Sequence, residues 1–532
     1  MFSAVSNLGA GGTQDVALSD TSNGVLYGCF AIMGLFSGGV NNLLGPRLTL
    51  FIGSLGYALY VGSLWCYQVQ GTRWFLIFAG ALLGISAALF WSAQGSIMMS
   101  YPMEKDKGKA FGIFWAMFQA GSFIGSVIAL GININSGSLG AVTTSTYIAF
   151  VIIIIVGIAS TWLLLPPNRV VRGDGTVPKI EAASDPKTEI RALYQTLKDW
   201  RMLALTPMFF ASNYFYAYQG AVNAGKFTAP TRALNAVLEG AGAIVGALLI
   251  GFFVLDNPKL KRRTRGWLGL GVVTALTIVV WSCGLAFQVT FSRENKGHIL
   301  HYKEKAYHAK GTLFFFYFFS DAIYQAMVYW IMGALTNDPF TLARFTGLYK
   351  AVQSAGAAGS FGMDAVATPY LNEHLASWLL IIVSLPLAGV VIRTIKDTSY
   401  VDEQVRLHLL CAPGSVSSSL FLFFRLSMLK TSRLIKRRRR SQNYQLRRTT
   451  LARRVVRTPN RRSLLDSVLC LMPLSTYSSL SSFYSLVCFL WSFFCSVLFD
   501  MPISVLVFVK SLILTILKPK GWDINIGADL VF

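Results

Sequence analysis

The chain is 532 residues long, 54% apolar and only 13% charged. That charged share is about half the usual one for soluble domains, which excludes a typical cytosolic enzyme and a disordered protein. The net charge of +23 would suggest a nucleic-acid partner in a soluble protein; here the apolar runs come first and argue against one.

A membrane helix needs about 20 mostly apolar residues. Taken in chain order, eleven runs qualify within residues 1–396: 23–40, 49–68, 75–98, 109–131, 145–165, 203–222, 234–255, 267–290, 312–335, 345–368 and 375–393. Their connections are short, except a polar stretch at 167–201 and a His- and Lys-rich one at 291–311. Alternate connections carry 17 and 8 Lys plus Arg. The richer set, which includes 167–201, is therefore expected on the cytoplasmic side.

Five spans precede the linker 167–201 and six follow it. The N-terminus would then start outside, without the basic start of a signal peptide. Both points imply one helix short at the front, with residues 1–9 as its outer end. The expected organisation is an N-terminal half over 1–166, a cytoplasmic linker over 167–201, a C-terminal half over 202–396 and a tail over 397–532.

Ionisable and amide groups inside spans are costly and mark function by default. Asp321 lies near the middle of 312–335, with Gln325 one turn on. It has three candidate roles: to bind a cation, to carry a coupling proton, or to pin its helix to a neighbour. Asn213, Tyr216 and Gln219 are spaced about one turn apart and share a face. Trp91, Gln94 and Gln119 form similar polar points, and Glu239 is a second candidate for proton coupling. Lys350, beginning its span, is expected to snorkel to the headgroups, and Asp364, near the other end, to be solvated. Glu104, Lys105, Asp106 and Lys107 make a mixed-charge turn expected to anchor at the interface.

His298, His301 and His308 share the loop 291–311 but have no Cys or paired acid for a metal site. There is no phosphate-binding loop, dinucleotide fingerprint, HExxH or catalytic triad pattern. Neither cofactor nor metal is expected, and the chain is read as a non-enzyme. The tail changes texture. Residues 425–462 hold fifteen Lys and Arg and no acid, before a Ser-, Leu- and Phe-rich run. Three readings stand: extra membrane helices behind a basic lipid anchor, a nucleic-acid patch, or translated intron or out-of-frame sequence.

Small residues spaced by four let membrane helices approach closely. They occur at Gly34 and Gly38, Gly121 and Gly125, Gly242 and Gly246, and around Gly359 and Gly362. With one helix missing, these fall on the second, fifth, eighth and eleventh of twelve. The connection after the first of them, running from Gly38 through Asn42 and Leu43 to Gly45 and Arg47, resembles the corresponding loop of the major facilitator superfamily. Asn42 and Leu43 stand where that loop carries its acid and first Arg.

A longer resemblance covers about residues 1–396. It is carried by GPRLTLFIGSLGYALYVGSL (45–64), GALLGISAALFWSAQGSIMMSYP (80–102), LTPMFFASNYFYAYQG (205–220) and ALTNDP with LARFTGLYKAVQSAGAA (334–339 and 342–358). These runs resemble the fungal "uncoordinated ninety-three" (UNC) proteins, the ion-channel regulatory branch of that superfamily. The resemblance implies an all-α, multi-pass membrane protein with two six-helix halves. The expected function is secondary transport of a small solute or ion. The alternative is a non-transporting partner that regulates a channel or traffics another membrane protein.

Overall fold

The computed structural model describes residues 16–133, 144–165, 169–171 and 185–398. The expectations for residues 1–15 and for the tail beyond 398 lie outside the described residues. Among those described there are thirteen α-helices: α1 Val16–Leu44, α2 Pro46–Gln70, α3 Arg73–Ser100, α4 Lys107–Asn133, α5 Thr144–Ser160, α6 Pro186–Lys198, α7 Trp200–Ala211, α8 Tyr216–Lys226, α9 Ala229–Leu249, α10 Arg262–Gln288, α11 Lys305–Leu335, α12 Pro339–Ala365 and α13 Tyr370–Ile392.

Local chemistry sets the breaks. α1 stops at Gly45, whose φ of +82° suits only a residue without a side chain. Pro46 then opens α2, at a position where its missing N–H costs nothing. α9 runs on as a π-helical turn, Ile250–Leu255.

Among the described residues seven helices are long and apolar enough to cross a bilayer: α1, α2, α3, α4, α10, α13, and α9 with its π-helical turn. The expected span at 145–165 is shorter, an apolar helix over Tyr147–Leu163. α11 and α12 are long enough at 31 and 27 residues, but they bury Asp321, Gln325, Lys350 and Gln353. The span expected at 203–222 is interrupted. Its residues form α7 and α8, separated by a turn over 212–215. The turn is closed by three-residue bonds from the N–H of Tyr214 to the Ala211 carbonyl at 3.2 Å and from that of Tyr216 to the Asn213 carbonyl at 3.4 Å. No Gly or Pro lies in the turn itself, so sequence reading runs straight through it.

The two halves meet where α1 crosses α12 and where α4 crosses α9. At the first crossing a Cβ on Gly34 would lie 2.8 Å from the Ala351 Cα, and one on Gly38 would lie 2.6 Å from the Ala343 oxygen. Backbones this close need glycine. At the second crossing, a Cβ on Gly112 would come 2.8 Å from the Ala247 oxygen.

The other glycines expected at this contact behave differently. Gly242 and Gly246 press on the Phe315 and Phe319 backbone of α11, within the same half. Gly125 is buried. Gly121 and Gly362 face open space, and Gly359 meets only the Tyr214 ring at 3.8 Å.

Candidate functional site

The break between α7 and α8 exposes polar backbone and side chains to α11 and α12 at mid-membrane. Discontinuous helices are the usual builders of such sites, because their broken ends need partners. Asp321, 3% exposed on α11, accepts a hydrogen bond of 2.8 Å from the Tyr216 hydroxyl of α8. Gln325, one turn on, donates to Asp321 Oδ1 at 3.2 Å and to Asn213 Oδ1 at 3.2 Å. The sequence-predicted group Asp321, Gln325, Asn213 and Tyr216 is thus brought together. On its other side Asp321 lines a small crevice with Phe215, Trp281, Tyr317, Ser320 and Tyr324.

α12 extends this group. Gln353 Nε2 donates to Gln325 Oε1 at 3.2 Å and to the Ser212 hydroxyl in the α7–α8 turn at 2.7 Å. Lys350 Nζ donates to Gln353 Oε1 at 2.7 Å. A single file therefore runs from Lys350 through Gln353 and Gln325 to Asp321, each group donating toward the carboxylate. Bonds aligned in this way polarise one another and gain strength.

Lys350 corrects an expectation. It does not snorkel; it is 4% exposed. Its ammonium lies over the rings of Trp91 at 4.6 Å, Tyr349 at 4.7 Å and Tyr329 at 5.5 Å. Ring faces attract a desolvated cation by up to about 2 kcal/mol each, so the side chain turns inward. Trp91 itself donates to the Tyr57 hydroxyl at 2.9 Å.

The remaining candidates lie apart from this file. Gln94 on α3 and Gln219 on α8 are buried, and neither end of either amide has a partner. Glu239 is buried on α9, one turn from Asn235. Asn235 belongs to a separate hydrogen-bonded set with Asn223 at 2.9 Å and Tyr307 at 2.8 Å.

The basic side, assigned to the cytoplasm by charge, is closed by contacts between the halves. Ser92 and Ser96 of α3 donate to the Ala343 and Pro339 carbonyls of α12. The mixed-charge turn is not merely an interfacial anchor. Glu104 pairs with Arg262. Lys107, 5% exposed, donates to the Gly333 carbonyl at 2.8 Å and to Asn337 at 2.7 Å. Asp256 accepts from the Lys109 N–H at 2.6 Å at the start of α4. Burial pushes its carboxyl up to about 6, against the pull of the Lys109 and Gly108 N–H groups.

The linker helix α6 completes this closure. Glu189, 4% exposed near the start of α6, turns into the protein. It holds Arg344 of α12 by two bonds of 3.0 Å and accepts from the Asn42 amide at 3.1 Å. Asn42 is the position where the related loop carries an acid. The carboxylate absent there arrives from the linker instead. Arg47, also from that loop, donates to the Trp162 carbonyl and stacks on the Trp162 ring at 4.8 Å.

Removing one partner of a buried ion pair costs roughly 3–5 kcal/mol. Glu189→Gln should therefore loosen this closure. Labelling of a Ser96→Cys variant by a cytoplasmic-side maleimide should rise at least about tenfold, the shift that ~1.4 kcal/mol produces. Unchanged labelling would show that the linker does not hold the halves.

On the opposite side, Asp364 is not solvated as expected. It pairs with Arg293, which also holds Glu373 at 2.7 Å and stacks on Tyr370 at 4.1 Å. In the neighbouring loop His298 bonds Glu304 at 2.8 Å. The His301 N–H and then His298 hold the Glu304 carboxyl below its ordinary range. No cluster of three or more metal-ligating side chains occurs among the described residues.

A profile described as Ion channel regulatory protein UNC-93 matches residues 20–393. UNC93-like protein C922.05c of Schizosaccharomyces pombe is 39% identical over 406 residues, covering 75% of this chain and 80% of that protein. UNC93-like protein 1 of Arabidopsis thaliana is 38% identical over 391 residues, covering 73% and 85%. Among solved structures, the chain is similar to the E. coli fucose:proton symporter FucP, with a TM-score of 0.49 and 13% identity over 73% of this chain and 95% of that one. A buried carboxylate beside a broken helix, inside a multi-pass membrane protein, is thus found in a chain that belongs to the UNC-93 family.

Proposed function

We propose that the chain is a secondary transporter, not an enzyme, which moves a small solute or ion between two halves that open alternately. The halves are residues 1–166 and 202–396, joined by the linker 167–201. Asp321 is the coupling carboxylate, and Gln325, Asn213 and Tyr216 tune it. One observation carries this reading. Asp321 sits fully inside the bundle at a helix break, bonded to side chains from α8 and α11 and, through Gln325, to α12. A purely structural peg needs no such break. A carboxylate that exchanges a proton or cation needs polar partners that can follow its change of charge.

The first test is uptake by proteoliposomes of the full-length chain, screened with labelled solutes under an imposed proton gradient. Tyr216→Phe removes one donor from Asp321 and keeps the ring. It should slow gradient-driven uptake about three- to tenfold, the range set by one hydrogen bond of ~1 kcal/mol. Equal uptake by the variant would detach Tyr216 from coupling.

A second reading is a non-transporting regulator of an ion channel or a trafficking partner. It is favoured by the closure on the basic side, where Glu189, Lys107 and Arg262 tie the two halves together. Under that reading, crosslinking Ser96→Cys to a cysteine placed at Pro339 leaves function intact. Under the transport reading it abolishes turnover.

A further inference from the structure

Five side chains, drawn from both halves, close a ring through Lys350. Lys350 lies 4.6 Å from the Trp91 ring, and Trp91 lies 6.5 Å from Trp115. Trp115 stacks on Phe111 at 5.3 Å, and Phe111 lies 5.2 Å from Tyr329. Tyr329 returns to Lys350 at 5.5 Å. The ring draws on α3, α4, α11 and α12, so both halves contribute.

Its polar groups are not satisfied. The Trp115 indole N–H and the Tyr329 hydroxyl are buried without partners. One turn from Trp91, both ends of the Gln94 amide are buried and unpartnered. Lys350 gives one of its three N–H groups to Gln353 and touches no carboxylate among the described residues; the Asp321 charge reaches it only from the far end of the Gln353–Gln325 file. Ring faces attract its charge but do not neutralise it. A buried ammonium without a contacting anion is costly. Orphaned buried polar groups are rare in native proteins and call for an explanation. The groups here are mostly of one kind: ammonium, indole N–H and phenol O–H all donate. What they lack is an acceptor carrying negative charge.

We propose that this ring is a binding site for a small organic anion, a carboxylate carried on a flat or aromatic body. The carboxylate would sit against Lys350 and take the spare N–H and O–H groups of Trp115 and Tyr329. The flat body would stack among Trp91, Phe111 and Trp115, where offset ring pairs add attraction beyond area burial. Gln94, with both a donor and an acceptor, would serve a second polar group on the ligand. This deepens the transport reading by naming the class of solute. It rests on that reading only for the claim that the bound anion crosses the membrane.

The test is binding of radiolabelled benzoate to the purified full-length chain in nanodiscs. Benzamide and benzylammonium serve as isosteric neutral and cationic competitors. Benzoate should bind, and neither competitor should displace it at equal concentration. Lys350→Gln should weaken benzoate at least about tenfold, as the loss of a charged hydrogen bond of ~1.5–3 kcal/mol requires. Lys350→Arg should keep binding within a few-fold. Trp115→Phe, which removes the N–H and keeps an aromatic ring, should weaken it about threefold to tenfold. Size-exclusion profiles report folding. Should Lys350→Gln fail to fold, Lys350→Arg, Trp115→Phe and Tyr329→Phe carry the test.

Absence of benzoate binding would overturn the proposal. So would displacement by benzamide equal to that by benzoate, or binding unaffected by the Lys350 and Trp115 variants. Flux of the same label into proteoliposomes separates this site from transport. Lys350-dependent binding without flux would sink the transport reading and keep the site. Flux indifferent to both variants would do the reverse.

Discussion

Asp321→Asn is expected to abolish gradient-driven accumulation while leaving downhill exchange of solute measurable. Asn keeps the shape, and its oxygen can still accept from Gln325 Nε2, now 3.2 Å from Asp321 Oδ1. Its amide can still donate to the Tyr216 hydroxyl, so the fold should survive. What it loses is the charge change. A group that cannot exchange a proton or cation cannot tie solute movement to a gradient, so accumulation should fall to the background of empty vesicles.

The same change leaves Lys350 as a buried cation at the far end of its hydrogen-bonded file. Asp321→Asn combined with Lys350→Gln should therefore recover yield and thermal stability lost in the single variant. Coupled neighbouring sites typically show 0.5–3 kcal/mol of interaction. Full accumulation by Asp321→Asn would end the coupling role.

The second large effect is expected at the crossing of α1 and α12. Gly38→Leu should leave no monodisperse protein on size exclusion. A Cβ there already lies 2.6 Å from the Ala343 oxygen and 2.7 Å from the Arg344 Cα. These are backbone atoms at the start of a helix and cannot swing aside. Even one surplus methylene costs about 1–3 kcal/mol in a packed site, and Leu brings three more carbons beyond its Cβ. Gly28→Leu is the control, because nothing lies within 4 Å of a Cβ at Gly28 on the same helix. It should elute as the native protein does. A normal profile for Gly38→Leu would mean that the halves are not held by this crossing.

What sequence reading captures and what it misses divide along a physical line. Apolar run length marks α1, α2, α3, α4, α9, α10 and α13, because a bilayer demands it of each segment separately. A lone acid in an apolar run points to Asp321, whereas the one-turn spacing of Asn213, Tyr216 and Gln219 presumes a helix that the turn over 212–215 interrupts, and Gln219 lies apart. The assembled site depends on partners far apart in the chain. Glu189 and Arg344 are 155 residues apart, and Lys107 and Gly333 are 226 apart. Nothing local announces either pair.

Lys350 is misread for the same reason. A lysine near a span's end normally reaches outward, and only Trp91 on α3 and Tyr329 on α11 draw it inward. The spacing of Lys350 and Gln353, three residues apart on one helical face, was the available signal. The α7–α8 break gives only a faint one: Ser212 and Asn213 favour turns and Pro207 precedes them, but the apolar run around them reads as one continuous span. The partner that holds the break open is Gln353, on another helix.

The two amides between Lys350 and Asp321 carry a consequence of their own. Gln325 and Gln353 are arranged head to tail, nitrogen of one to oxygen of the next. Neither can turn over alone without setting two oxygens or two N–H groups face to face. Turning both would set an N–H of Gln353 against the Lys350 ammonium and the oxygen of Gln325 against the Asp321 carboxylate. The charged ends therefore fix the orientation of both amides: a donor-only group at one end and an acceptor-only group at the other dictate every bond between them.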